Sequence, residues 1–272
     1  MTSPLAVITG GARGIGRQLA LDLLARGYRV VIGDLDLAAT QATAAELGTG
    51  AHAVRLDVTD AALVATTIDT IETEHGPIDV WINNAGIMPT EPFATQKPEV
   101  WQRIIAINYA SVVSATGLIL PRMLSRKSGT IINMASATGI KPLAGVAVYS
   151  GTKAAVIAFS DAVRREIRGS GVRMIVVMPN LVTTAMGAGI TPPALTGSVS
   201  AEDVSREVMK ALTQGRFWVV VPRPLGPVLR LTKSLSFGLQ DWIDDRAGSD
   251  KIGLGGDPAA RAAYAKDALD DK

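Results

Sequence analysis

From Leu5 to about Pro179 the chain alternates short apolar, β-branched runs with longer stretches whose apolar positions recur at helical spacing. The short runs are Leu5–Ile8, Arg29–Ile32, Ala51–Leu56, Ile78–Ile82, Thr130–Met134 and Met174–Met178, and each predicts a strand. Their near-continuous apolarity implies strands covered on both faces, as in a parallel sheet. The longer stretches, Gly14–Ala25, Leu37–Leu47, Ala61–Glu74, Glu99–Leu124 and Tyr149–Arg168, predict crossover helices. Punctuation agrees: Asp60 is placed to cap the third helix, Gly27 and Gly48 follow the first two, and Gly76-Pro77 closes the third. Pro121 predicts a kink within the long fourth helix. A further helix, Ala201–Leu212, and a seventh strand, Phe217–Val221, complete the pattern. The predicted fold is α/β, a doubly wound parallel sheet of seven strands with helices on both faces and a C-terminal helical extension. Ligands in such sheets bind beyond the carboxyl ends of the strands.

With 272 residues, 47% of them hydrophobic and 19% charged, the chain can bury a sizeable core, and one large domain fits better than two. We divide it into a dinucleotide-binding and catalytic domain over 1–222 and an extension over 223–272 packed on the same domain. The net charge of +2 is small and its carriers are scattered, so nucleic acid is not expected as a partner. The absence of cysteine excludes disulfides and thiolate chemistry. His52 and His75 are far apart and outside ligand spacing, so neither a metal centre nor a serine-histidine triad is expected. No basic, apolar leader is read at the N-terminus and no run is read as a membrane span, which makes the cytoplasm the expected compartment.

Thr9-Gly10-Gly11-Ala12-Arg13-Gly14-Ile15-Gly16 falls between the first strand and the first helix. Gly10 and Gly11 permit a tight turn, Gly14 allows the main chain to approach a pyrophosphate, and Gly16 allows close helix packing. Amides at the helix start, including that of Ile15, and the positive end of its dipole would favour the phosphates. Asp34 ends the second strand, where a carboxylate accepts hydrogen bonds from an adenosine ribose and repels a 2'-phosphate. NAD is therefore expected over NADP. Arg13 is the counterweight, being either a partner for a 2'-phosphate or a solvated loop charge. Asp57 is either an adenine contact or a turn cap, and Val58 offers its main chain.

Tyr149 and Lys153 are one helical turn apart on one face, and Ser136 follows the fifth strand. A free phenol has a pKa near ~10, and a cation held beside it favours phenolate and brings that value down towards working pH. Ser136 would offer its hydroxyl to a substrate oxygen.

In their order and intervals these motifs resemble the short-chain dehydrogenase/reductase family. The resemblance runs from about Leu5 to Val221 and rests on the Thr9–Gly16 loop, Asn83-Asn84-Ala85-Gly86, Asn108, Ser136, Tyr149 with Lys153, and Pro179-Asn180-Leu181-Val182-Thr183-Thr184. It implies that Asn84, Ala85 and Gly86 neighbour the cofactor, and that Asn108 helps hold a water linking the lysine to solvent. It also implies that Pro179, Val182 and Thr184 lie at the nicotinamide end, and that Lys153 binds the nicotinamide ribose. The chain departs from the family at Asn180, where glycine is usual; asparagine tolerates a positive φ better than most residues. The implied activity is hydride transfer between a nicotinamide and a secondary alcohol or ketone. Tyr149 exchanges the proton, Ser136 binds the oxygen, and Asn108 completes a proton path.

The loop Ile87–Thr95 and the segment Ala185–Gly197 are expected to border the substrate pocket. Met88, Phe93, Leu143, Met186 and Ile190 point to a small uncharged hydrophobic alcohol or carbonyl compound. Residues from Pro222 to Trp242 mix apolar side chains with Arg223, Arg230 and Lys233. Lid or subunit contact is favoured for them over a membrane surface. A homodimer or homotetramer is implied by the resemblance. Two rival activities remain: a 3-ketoreductase of acyl thioesters, and a regulator that binds NAD without catalysis.

Overall fold

A computed structural model describes residues 3–192, 197–249 and 251–270; positions 193–196 of the expected pocket border lie outside them. The strands are β1 (Leu5–Thr9), β2 (Arg29–Asp34), β3 (Ala51–Arg55), β4 (Ile78–Asn83), β5 (Gly129–Met134), β6 (Val172–Pro179) and β7 (Trp218–Val221). The helices between them are α1 (Gly14–Leu24), α2 (Leu37–Leu47), α3 (Ala61–His75), α4 (Pro98–Ile105), α5 (Ser111–Ser125), α6 (Ala147–Glu166) and α7 (Ala201–Gln214). The C-terminal extension forms α8 (Leu225–Lys233), α9 (Phe237–Ala247), α10 (Lys251–Leu254) and α11 (Pro258–Leu269).

All seven strands are parallel, in the order β3-β2-β1-β4-β5-β6-β7. Chain direction across the sheet reverses between β1 and β4, which opens a crevice at their carboxyl ends. Side chains alternate between the two faces of a strand, and here both faces are covered. Ala6 and Ile8 of β1 join Ile32, Ile82 and Val177 against α1 and α7. Leu5 and Val7 join Val31, Trp81 and Ile131 on the opposite side, with Ile68 of α3, Ile119 of α5 and Val163 of α6. The exception is β3, an edge strand whose residues stay half-exposed, so its apolar run did not indicate two buried faces.

Helix ends follow local chemistry. Asp60 accepts the N–H groups of Ala62 and Leu63 at 3.0 and 2.9 Å, and Ser200 with Asp203 forms a capping box on α7. The long fourth helix differs from expectation in one respect. It continues through Pro121 to Ser125 as expected, and it also contains an unanticipated π-helical segment at 106–110. The helical stretch Pro98–Ser125, 28 residues, is long and apolar enough to cross a membrane by length and composition alone. That corrects the sequence reading, which found no such run. Ile104, Val112, Ala115, Ile119 and Met123 of this stretch are buried inside the protein, which explains its apolarity as packing.

Candidate active site

The turn after β1 is too tight for a side chain at Gly10, Gly11 or Gly16. Gly14 stands at φ +55°, and a Cβ on Gly16 would lie 2.2 Å from the Gly10 carbonyl oxygen. Thr9 Oγ1 accepts the N–H groups of Asn84 and Ala85 at 3.0 and 3.1 Å, while Asn84 Nδ2 donates to the carbonyls of Thr9 and Gly10 at 3.0 and 2.9 Å. Those bonds weld the loop after β1 to the loop after β4. The start of α1 has no side-chain cap on its Arg13 N-cap, so its first-turn amides face the cleft. A glycine-rich cradle at a helix N-terminus fits a pyrophosphate.

Asp34 Oδ2 accepts from Ala12 N at 3.2 Å and Oδ1 from Leu35 N at 2.9 Å. A carboxylate has about four lone-pair sites, so acceptor capacity remains for ribose hydroxyls. Asp57 takes Thr59 N and Oγ1 at 2.8 and 2.7 Å, which is the turn-capping geometry. Arg13 is a largely solvated loop charge, its side chain 64% exposed, and its guanidinium pairs with Asp267 of α11 at 3.0 Å.

Tyr149 and Lys153 lie on the buried face of α6, 6% and 4% exposed. Lys153 Nζ donates to the Met134 carbonyl at 2.7 Å and sits 5.7 Å from the centre of the Tyr149 ring. Ser136 Oγ accepts from Thr138 N and Oγ1 at 3.2 and 3.0 Å, which fixes it at the start of the 137–139 turn. Burial pushes Tyr149 up to about 12, with a hydrogen bond from the Ser136 side chain pulling the other way. Burial also brings Lys153 down to about 8. In the protein alone desolvation therefore dominates at Tyr149, and its pKa is not brought down towards neutrality.

Asn108 is fully buried within the π segment. Its Nδ2 donates to Ile87 O at 2.8 Å and its Oδ1 accepts Ile87 N at 2.9 Å, a two-point clamp on the loop after β4. π segments recur at functional sites, and Asn108 makes this clamp from within one. Beneath the site runs a buried chain of polar groups. Trp81 Nε1 donates to Asn83 Oδ1 at 2.7 Å, Asn83 Nδ2 to Asn133 Oδ1 at 2.8 Å, and Asn133 Nδ2 to Ser160 Oγ at 2.9 Å.

The sequence-derived positions Gly10, Arg13, Gly14, Ile15, Asp34, Asp57, Val58, Asn84, Ala85, Gly86, Ser136, Tyr149, Lys153, Pro179, Val182 and Thr184 line one continuous cleft of about 350 Å³. Gly16 and Asn108 are outside that lining and shape it from behind. Asn180 has no positive φ, so the departure from glycine needs no left-handed turn; its Nδ2 donates to Gly197 O at 3.0 Å. Phe93 is 61% exposed and outside the cleft, contrary to its expected place in the pocket. Met88, Leu143, Met186 and Ile190 do line it. Residues not anticipated include Thr138, Arg103 and, from α11, Arg261, Tyr264 and Asp267. A hydroxyl two residues beyond Ser136 was a readable signal; the alanine-rich α11 carried none.

A family model described as short chain dehydrogenase matches residues 4–194. The chain is 32% identical over 202 residues to 3-oxoacyl-(acyl-carrier-protein) reductase FabG of Escherichia coli, a match covering 74% of this chain and 83% of that protein. It is 36% identical over 223 residues to 1-deoxy-11-beta-hydroxypentalenate dehydrogenase of Streptomyces exfoliatus, covering 79% and 81%. It is 37% identical over 178 residues to sorbitol dehydrogenase of Cereibacter sphaeroides, covering 65% and 70%. A solved short chain dehydrogenase/reductase from Burkholderia phymatum, in complex with NAD, superposes with a TM-score of 0.78 at 22% identity, covering 94% of this chain and 96% of that one. The chain belongs to the short-chain dehydrogenase/reductase family. It is an oxidoreductase acting on CH–OH or keto groups.

Proposed function

We propose that this enzyme interconverts a hydrophobic secondary alcohol and its ketone with NAD as the preferred cofactor, by a hydride transfer in which Tyr149 exchanges the hydroxyl proton. The observation that carries the reading is the convergence of Ser136, Tyr149 and Lys153 in one cleft, between the glycine cradle and an apolar pocket. The nicotinamide supplies the hydride acceptor for the alcohol and the hydride donor for the ketone. The cradle and the first turn of α1 would hold its pyrophosphate, Asp34 the adenosine ribose, and Lys153 the nicotinamide ribose. Ser136 hydrogen-bonds the reacting oxygen and stabilises developing alkoxide where water is excluded. Tyr149 is protonated near neutral pH in the protein alone, which suits it to donate to that oxygen during ketone reduction. In oxidation the proton travels the other way, and Lys153 is the cation nearest to favour the phenolate.

The preference for NAD rests on Asp34, whose charge would oppose a 2'-phosphate, while Arg13 is paired with Asp267. Asn108 acts by holding the loop after β4 in place, in addition to the proton path implied by the family. A homo-oligomer and a cytoplasmic setting are part of the same reading. A second activity, reduction of 3-oxoacyl thioesters, is favoured by the similarity to FabG.

Absorbance at 340 nm with NADH or NADPH, across a panel of ketones, secondary alcohols and an acetoacetyl thioester, tests the proposal. Tyr149→Phe should lower turnover by at least about a hundredfold, the contribution ordinarily made by a general acid, and leave NADH affinity close to normal. Wild-type turnover in that variant would refute the assignment.

A further inference from the structure

The family match ends at residue 194, and one wall of the cleft comes from far beyond it. Arg261 of α11 is 7% exposed. Its Nε donates to Thr90 Oγ1 at 3.0 Å, its Nη1 to the carbonyls of Met186 and Ala188 at 2.7 and 3.1 Å, and its Nη2 to the Met88 carbonyl. Four of the five N–H donors of a guanidinium are thus spent on protein oxygens, so Arg261 fastens structure and does not receive an anionic ligand. The acceptors belong to two different loops, one after β4 and one after β6, which border the substrate pocket.

Further along the same face, the Tyr264 hydroxyl accepts Met88 N–H at 2.9 Å and its ring lies 4.7 Å from the Arg261 guanidinium. Beyond that, Asp267 reaches Arg13 on the phosphate loop. At 12 residues, or about 18 Å, α11 is long enough to run from the substrate loops to the cofactor loop. Its Ala268 and Leu269 pack in the apolar cluster of Tyr149, Ile87, Met88 and Ile190. The helix brings Asp267, and the residue that follows its end, Asp270, to the cleft lining, while its lysine, Lys266, is exposed and outside it.

We propose that α11, pinned by Arg261, is a selective roof: it fits the site to a compact, uncharged ketone or alcohol free in solution and shuts out acyl groups delivered on a carrier protein. Two features argue for this class. A tethered acyl group needs an open channel from the carrier surface to the reacting carbon, and α11 takes up part of the cleft wall with Tyr264, Asp267 and Ala268 and packs Leu269 in the cluster of Tyr149. An acidic carrier also needs a cationic rim; the lining holds Arg13 and Arg103, but α11 sets Asp267 against Arg13 and leads into Asp270 at the same edge, which offsets that positive charge. The inference rests on the oxidoreductase reading above and decides between its two substrate classes.

The test compares kcat/KM for carrier-free ketones, including the N-acetylcysteamine thioester of acetoacetate, with that for acetoacetyl-carrier protein. The full chain is assayed beside a truncation after Gly256 and beside Arg261→Met. In the full chain the carrier-linked substrate should be at least about a hundredfold poorer than the best carrier-free ketone, and removing or loosening α11 should narrow that gap about tenfold or more. A full chain that reduces the carrier-linked form within about threefold of the best free ketone overturns the roof and leaves the oxidoreductase reading standing. A folded truncation with an unchanged gap overturns it as well. If both variants fail to fold, the full-chain ratio decides alone. Turnover of no ketone with either nucleotide overturns both readings together.

Discussion

Replacing Asn108 by Leu separates two roles that the site gives this residue. The side chain is fully buried, and its amide satisfies both the N–H and the C=O of Ile87, itself 8% exposed. Leucine keeps roughly the volume and offers neither partner. Each buried backbone group left unsatisfied costs about 1–3 kcal/mol, so the pair amounts to about 4 kcal/mol. For a protein of this size a loss of 1 kcal/mol lowers Tm by about 2–4 °C, so the variant should melt about 8–16 °C below the parent. Scanning calorimetry at one fixed protein concentration reads the shift without confusion from subunit association. Turnover should fall as well, because the loop that begins at Ile87 carries Met88 into the cluster around Tyr149. A Tm within about 1 °C of the parent, with turnover lost, would refute the clamp and leave only the proton path.

The buried lysine gives a pH signature in the cofactor-free protein. Its pKa falls from 10.5 in the unfolded chain to about 8 in the folded one, so its stability contribution is fully present above 10.5 and lost as pH falls through 8. At 1.36 kcal/mol per pKa unit, the stability difference between the parent and Lys153→Met should move in the parent's favour by up to about 3 kcal/mol as pH rises across that window. Parallel urea-stability profiles for the two proteins would contradict this. Tyr149 acts oppositely, its contribution being present below 10 and lost as pH rises through about 12, so the comparison is cleanest below pH 10. Asp34→Ala should raise the NADP-to-NAD ratio of kcat/KM by about tenfold or more by removing carboxylate–phosphate repulsion; an unchanged ratio would show that Asp34 does not select the cofactor.

What could be read along the chain was whatever depends on local pattern. Val7, Ile32 and Trp81 sit in apolar runs because parallel strands are covered on both faces, and the sheet was legible for that reason. The glycine turn and Asp34 were legible because a strand-to-helix crossing constrains its residue types at short range. The π segment at 106–110 was not, since nothing in Ala-Ile-Asn-Tyr-Ala differs from ordinary helix. The acidity of Tyr149 was misjudged because spacing reveals the nearest cation and says nothing of how completely water is removed. Arg261 and Tyr264 were invisible for a different reason: their partners at Met88 are more than 170 residues away, in a helix whose alanines carry no motif.

The amide chain linking Trp81, Asn83, Asn133 and Ser160 also bears on how the sheet finds its alignment. Asn83 and Asn133 stand opposite each other in the β4–β5 ladder. Hydrophobic neighbours in such a ladder are nearly interchangeable, and a slip by one residue would trade one aliphatic contact for another at little cost. The same slip would turn Asn133 to the other face and strand several buried dipoles without partners. The two asparagines therefore act as a lock-and-tumbler for strand registration, making the misaligned sheet costly during folding and holding the strand end that carries Ser136 at one height relative to Tyr149.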